Sequence, residues 1–202
     1  MAIEPFADAE IGNDLPAENQ FGGVWLRELE AKFGTANFIK SVKVPGRPRV
    51  SVLYFDDLPE KGSLTAVTCG LSEARHPQWK FGHPELIVTL DSRDIGWGVA
   101  AAYLASKFYG EKPFSYGDFF KLDHPIAQDS EMDAYLLFAP SFLKRDQSKF
   151  VLRDRTIHLI GLYPIYSEEI PICERIGLKE FWHADGFEMY NPKRGPVNIA
   201  KN

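Results

Sequence analysis

Glu85-Leu86-Ile87-Val88-Thr89-Leu90 runs through Asp91-Ser92-Arg93-Asp94-Ile95 into Gly96-Trp97-Gly98-Val99-Ala100-Ala101-Ala102-Tyr103-Leu104. The first six residues form a short apolar and β-branched run, the pattern of a strand. Asp91 or Ser92 supplies a helix cap and Asp94 falls in the first turn. Trp97, Ala101, Leu104 and Phe108 then recur at helical spacing, and Gly110 stands at the stop. A strand followed at once by a helix is therefore the centre of the chain.

Upstream, residues 64–69 form another strand. A polar loop over 72–84, which also carries Trp79 and Phe81, separates it from the strand at 85–90. Residues 38–44 alternate apolar and polar side chains, Pro45-Gly46-Arg47-Pro48 breaks the run, and 50–55 resumes it, which reads as a hairpin with a long turn. Before the hairpin, Phe21, Trp25, Leu29 and Phe33 make a helix stripe closed by Gly34.

Downstream, strands are expected over 118–122, 135–138, 150–153 and 156–163. Ser167-Glu168-Glu169 opens a helix towards Gly177, a second helix follows over 178–184, and a last strand over 187–190. Strands cluster between helices without regular βαβ alternation. The expected fold is α+β, a mixed, mainly antiparallel sheet flanked by helices. Residues 1–16, rich in Pro, Asp, Glu and Asn, read as a loosely held arm, and 17–202 as a single domain.

The 28 acidic and 23 basic side chains leave a formal charge of −5, and no Lys/Arg run exceeds two residues. A nucleic-acid partner is not expected, because such binding rests on neutralising phosphates. The longest apolar stretch, 96–104, is far short of the roughly 20 residues of a membrane helix. The N-terminus lacks a signal-peptide pattern, so a cytoplasmic protein is expected.

Site chemistry is sparse. The five histidines, His76, His83, His124, His158 and His183, show no metal-ligand spacing, and Cys69 and Cys173 form no Cys-x-x-Cys pair. Gly96-Trp97-Gly98 has Ala101 where a dinucleotide-binding loop needs its third glycine. The paired carboxylates, such as Asp56-Asp57 and Glu168-Glu169, have no convergent partner. No metal or other cofactor is expected. The one enzymatic alternative is a hydrolase or transferase with a site built from Cys69 with His124 or His158.

As an ordered series, several segments resemble the suppressor of fused family. They are Thr68-Cys69-Gly70-Leu71-Ser72, the Glu85-to-Leu90 strand, the helix from Trp97, Tyr116-Gly117-Asp118 and His124-Pro125-Ile126. Leu136-Leu137-Phe138-Ala139-Pro140, the strand from Ile157 with Ser167-Glu168-Glu169, and Glu188-Met189-Tyr190-Asn191-Pro192-Lys193-Arg194 complete it. Animal members carry a second, C-terminal domain, so this chain looks like a short, bacterial-type member. The resemblance implies an α+β domain without catalytic residues that binds another protein. In animal members the bound peptide is an added strand held between the two domains. For bacterial members it implies an immunity protein that neutralises a toxin. Within the 72–84 loop, Arg75, His76, Trp79 and Phe81 are the expected partner-binding residues, because Trp and Arg are over-represented at interface hot spots.

Overall fold

A computed structural model describes residues 6–14 and 21–197. Among them, nine strands form one sheet: β1 (Glu10–Gly12), β2 (Phe38–Lys43), β3 (Val50–Asp56), β4 (Leu64–Cys69), β5 (His83–Leu90), β6 (Phe119–Lys121), β7 (Ala134–Phe138), β8 (Lys149–Val151) and β9 (Thr156–Ile165). The strand order is β1-β2-β3-β4-β5-β9-β7-β6, with β8 paired to β9 beside this path. The β5–β9 pair is parallel and the others are antiparallel, so the mixed, mainly antiparallel α+β sheet is as expected.

The two faces are covered by different elements. Alternate residues Val52, Tyr54, Ala66, Leu86, Val88 and Leu162 face helix α2 (Gly96–Lys107). Leu53, Phe55, Val67, Ile87 and Leu159 face α1 (Phe21–Phe33), whose Trp25 and Leu29 are fully buried. Further along that second face, Ala134, Leu136, Tyr163 and Ile165 pack on α3 (Ile170–Ile176), α4 (Leu178–Trp182) and the C-terminal segment.

Helix α2 begins at Gly96, later than a cap at Asp91 or Ser92 would place it. Ile95 stands at the cap position without a side-chain capping bond; in the turn before it, Asp94 Oδ1 accepts from the Gly96 N–H at 2.7 Å and Ser92 Oγ accepts from the Asp94 N–H at 2.9 Å. Every residue from Trp97 to Ser106 is buried. The alanines let the helix lie close to the sheet, and Phe6, Phe120, Leu122 and Ile126 cover its other side.

Of the expected arm over 1–16, residues 1–5, 15 and 16 lie outside the described residues; within 6–14, Phe6 is 4% exposed in the α2 core and β1 pairs with β2. One segment differs from the sequence reading. Residues 187–190 form no strand. The Phe187 ring lies 4.9 Å from that of Phe181, and the Tyr190 carbonyl accepts from the Asp91 N–H at 2.8 Å. Side-chain packing against α4 holds the segment in place of the expected strand pairing.

Candidate protein-binding surface

The loop between β4 and β5 is tied at both ends by one buried carboxylate. Glu85 is 0% exposed and accepts from Thr68 Oγ1 (2.6 Å), the Gly70 N–H (2.9 Å), the Ser72 N–H (2.9 Å) and Ser72 Oγ (2.7 Å). Thr68 Oγ1 in turn accepts from the Leu86 N–H at 2.8 Å. Gly70 holds φ +126, a conformation that favours glycine, so the turn aims its N–H at Glu85. Burial pushes the Glu85 carboxyl above the usual range, and the four hydrogen bonds pull against that rise.

Between these ties, the four expected contact residues divide. Trp79 is half-buried, and its Nε1–H donates to the Pro113 carbonyl at 2.8 Å, with the rings of His76 and His83 at 5.7 and 5.6 Å. It anchors the loop. Phe81 points out, 89% exposed. Arg75 is exposed and His76 half-buried. Below Phe81, its carbonyl meets His158 Nε2 at 3.2 Å. Gly82 permits this approach, because a Cβ there would lie 2.3 Å from His158 Cδ2.

A hollow of about 310 Å³ joins Trp79 and Phe81 to Pro113, Tyr116, His158 and Ile160. The sequence reading missed these last four as neighbours of the loop. Tyr116 is 52% exposed because the turn before β6 throws it outward. Phe114 (φ 53) turns in to stack on Phe120 at 5.1 Å, and Asp118 Oδ2 accepts from the Ser115 N–H at 2.8 Å. The usable signal was the aromatic in Tyr116-Gly117-Asp118, beside a glycine that takes φ +90.

The same turn leads into β6, which among the described residues pairs only with β7. The Leu137 N–H donates to the Asp118 carbonyl and the Leu122 N–H to the Asp133 carbonyl, so the even-numbered residues of this strand bond inward. Phe119 and Lys121 therefore direct their N–H and C=O groups to the open edge.

Cys69 is 5% exposed on the α1 face among Leu53, Val67 and Ile87, whereas His158 shares with Ile160 the opposite face. His124 lies elsewhere, its ring 4.8 Å from that of Phe6. The structure thus does not bring Cys69 together with either histidine. Burial, then the Glu85 and Glu73 charges, push the Cys69 thiol well above its usual value, the wrong direction for a nucleophile. Among the described residues, no group of three His, Cys, Asp or Glu side chains is placed to hold a metal, and no helix is long and apolar enough to cross a membrane.

A suppressor of fused homologue from Neisseria gonorrhoeae superposes with a TM-score of 0.68 at 15% identity, covering 90% of this chain and 98% of that one. Drosophila Suppressor of Fused matches with a TM-score of 0.62 at 10% identity, over 93% of this chain and 52% of that one. A chain of the Sufu–Fu complex matches with 0.60 at 9% identity, over 85% and 88%. No curated protein sequence gives a significant match. The family model described as Suppressor of fused protein (SUFU) matches residues 46–195, most of the chain, and with that match the chain belongs to the suppressor of fused family.

Proposed function

We propose that this chain is a non-enzymatic protein-binding module that takes an extended partner segment as an added strand along β6, with an apolar anchor seated beside Phe81 and Tyr116. The observation that carries this reading is an 89% exposed Phe81 on a loop held at both ends, adjoining an edge strand with unpaired backbone groups. Pro113 lines both the Phe81 hollow and the hollow beside β6, so the two form one surface. A related suppressor of fused chain is solved in a complex with Fu, which supports binding as the activity.

In this reading Arg75, His76 and Phe81 touch the partner while Trp79 holds their loop. The partner is a toxin domain that the chain neutralises as a cytoplasmic immunity protein, and no cofactor takes part. The Cys69 hydrolase or transferase alternative has no geometric support. A tagged pull-down from the native cell tests the module, comparing wild type with a Phe81→Ser, Tyr116→Ser variant. One stoichiometric partner carrying a toxin-like domain, lost from the variant at unchanged Tm, is expected. A folded variant that keeps the partner would remove the Phe81 and Tyr116 anchor from consideration.

A further inference from the structure

We infer that His158 is a contact residue of the anchor hollow and makes partner binding pH-dependent: the anchor seats on the neutral imidazole and is released when that ring takes a proton. This rests on the anchor reading above and adds a binding residue and its regulation.

His158 stands on β9 with its side chain on the same face as Ile160, and both line the hollow that holds Phe81 and Tyr116. Its Nε2 meets the Phe81 carbonyl at 3.2 Å, so in the neutral ring that nitrogen carries the proton and donates it. Nδ1 has no protein partner among the described residues and is not a buried atom. The second proton therefore goes to Nδ1, and the tie to the Phe81 carbonyl survives in either state. Protonation leaves the loop standing and changes what the hollow presents.

The surroundings decide which form an anchor meets. Lys80 lines the hollow, and Lys149, opposite His158 in the β8–β9 pair, faces the same side. The Arg145 charge reaches the Tyr116 hydroxyl from the loop before β8. Among the described residues no carboxylate lines the hollow. Asp118 accepts from the N–H of the lining residue Ser115, and Asp154, four residues back on β9, is bonded to Arg155. On β5, Pro84 lines the hollow, while His83 and Glu85 alternate to the other face.

An apolar group seated here strips water from the imidazole and offers no acceptor to Nδ1. That costs the imidazolium far more than the neutral ring, and the charge also faces two lysines. The bound state therefore favours the neutral form, and binding expels a proton wherever the free ring is charged. Affinity is full above the imidazole's titration range and falls as pH drops through it. One expelled proton corresponds to binding weaker by up to about tenfold per pH unit. A histidine that served only to tie the loop would bind a partner equally well across this range, because the tie is indifferent to the second proton.

The test uses the full chain, immobilised, to select from a displayed library of random ten-residue peptides at about pH 8, above the imidazole range. Peptides that also bind the Phe81→Ser, Tyr116→Ser variant are discarded. One survivor lacking Asp, Glu and His is synthesised with capped ends, so that its own charge stays constant. Its Kd is measured from about pH 8 down to about pH 5.5 on wild type and on His158→Gln, with a melting curve at each pH. Glutamine keeps a donor for the Phe81 carbonyl and takes no proton. Wild type is expected to lose at least about fivefold in affinity over the range, and His158→Gln to stay nearly constant. NMR of the His158 ring gives a second readout that needs no variant: its titration midpoint is expected to move to lower pH in the complex. A constant Kd on wild type, an unmoved midpoint, or a slope that persists in folded His158→Gln would overturn this inference and leave the anchor reading standing. Affinity that rises on acidification, as for an aromatic ring stacked on the imidazolium, would overturn it as well. If no peptide distinguished wild type from the double variant, the anchor reading would fall and this inference with it.

Discussion

Glu85 is a carboxylate in an apolar strand, and the four donors around it explain how it is tolerated there. Replacing it with alanine leaves the buried N–H groups of Gly70 and Ser72 without an acceptor, at roughly 1–3 kcal/mol each. Glu85→Ala is therefore expected to lower Tm by on the order of 10 °C and to raise proteolysis within 72–84. The sign of the pH effect is fixed by the raised carboxyl. A folded state that holds the proton more tightly than the unfolded chain gains stability as pH falls. That contribution is fully present below the unfolded value near 4.3 and is lost as pH rises through the folded one. In denaturant titrations on acidification through this window, the stability of wild type relative to Glu85→Gln is expected to increase; a constant difference would refute the assignment. The sequence marked Glu85 as the start of a strand. Its partners lie 13 to 17 residues upstream, so only folding reveals that it organises the loop.

At the scale of elements, legibility followed periodicity. Helix α1 and the β2–β3 hairpin could be read because one face of each is apolar and a glycine or proline closes each run. The all-round burial of α2 could not, since the segments that cover it come from residues 6 and 120–126. Gly98 records that burial: an added Cβ would lie 2.6 Å from the Tyr54 hydroxyl, so Gly98→Ala is expected to destabilise by about 1–3 kcal/mol in a denaturant titration. The C-terminal segment was misread for a related reason. It is held by a buried ion pair, with both Glu169 carboxylate oxygens accepting from Arg194 at 2.7 Å and the Val197 and Tyr166 N–H groups adding two further bonds. Pairs of this kind leave no repeat in the sequence. Arg194→Ala strands a fully buried carboxylate, and a loss of about 3–5 kcal/mol is expected, with earlier cleavage of residues 183–197 by protease. A melt unchanged by that substitution would show that the clamp holds nothing.

Across the whole molecule, the sheet divides what the sequence leaves adjacent. Cys69 and His158, drawn together as a possible nucleophilic site, are sorted onto opposite faces, His124 lies away from both, and the loop beyond Cys69 turns its aromatics in opposite directions. Trp79 and Phe81 are two residues apart and of similar chemistry, so composition cannot assign them different roles. The fold does: Trp79 spends its N–H on Pro113 and packs on the α2 core, while the Phe81 ring stands out and its carbonyl meets His158. The two substitutions should therefore separate. Trp79→Ala removes a packed indole and leaves the Pro113 carbonyl without its donor, so Tm is expected to fall by several degrees and partner binding to weaken through loss of the loop's shape. Phe81→Ala deletes an exposed ring, so stability is expected to stay within about 0.5 kcal/mol of wild type while binding falls at least tenfold, as for an interface anchor. Calorimetry on both variants, read beside a binding titration, distinguishes scaffold from anchor. If Phe81→Ala bound normally, recognition would lie with the β6 edge alone, because that edge keeps its unpaired groups whatever side chain stands at 81.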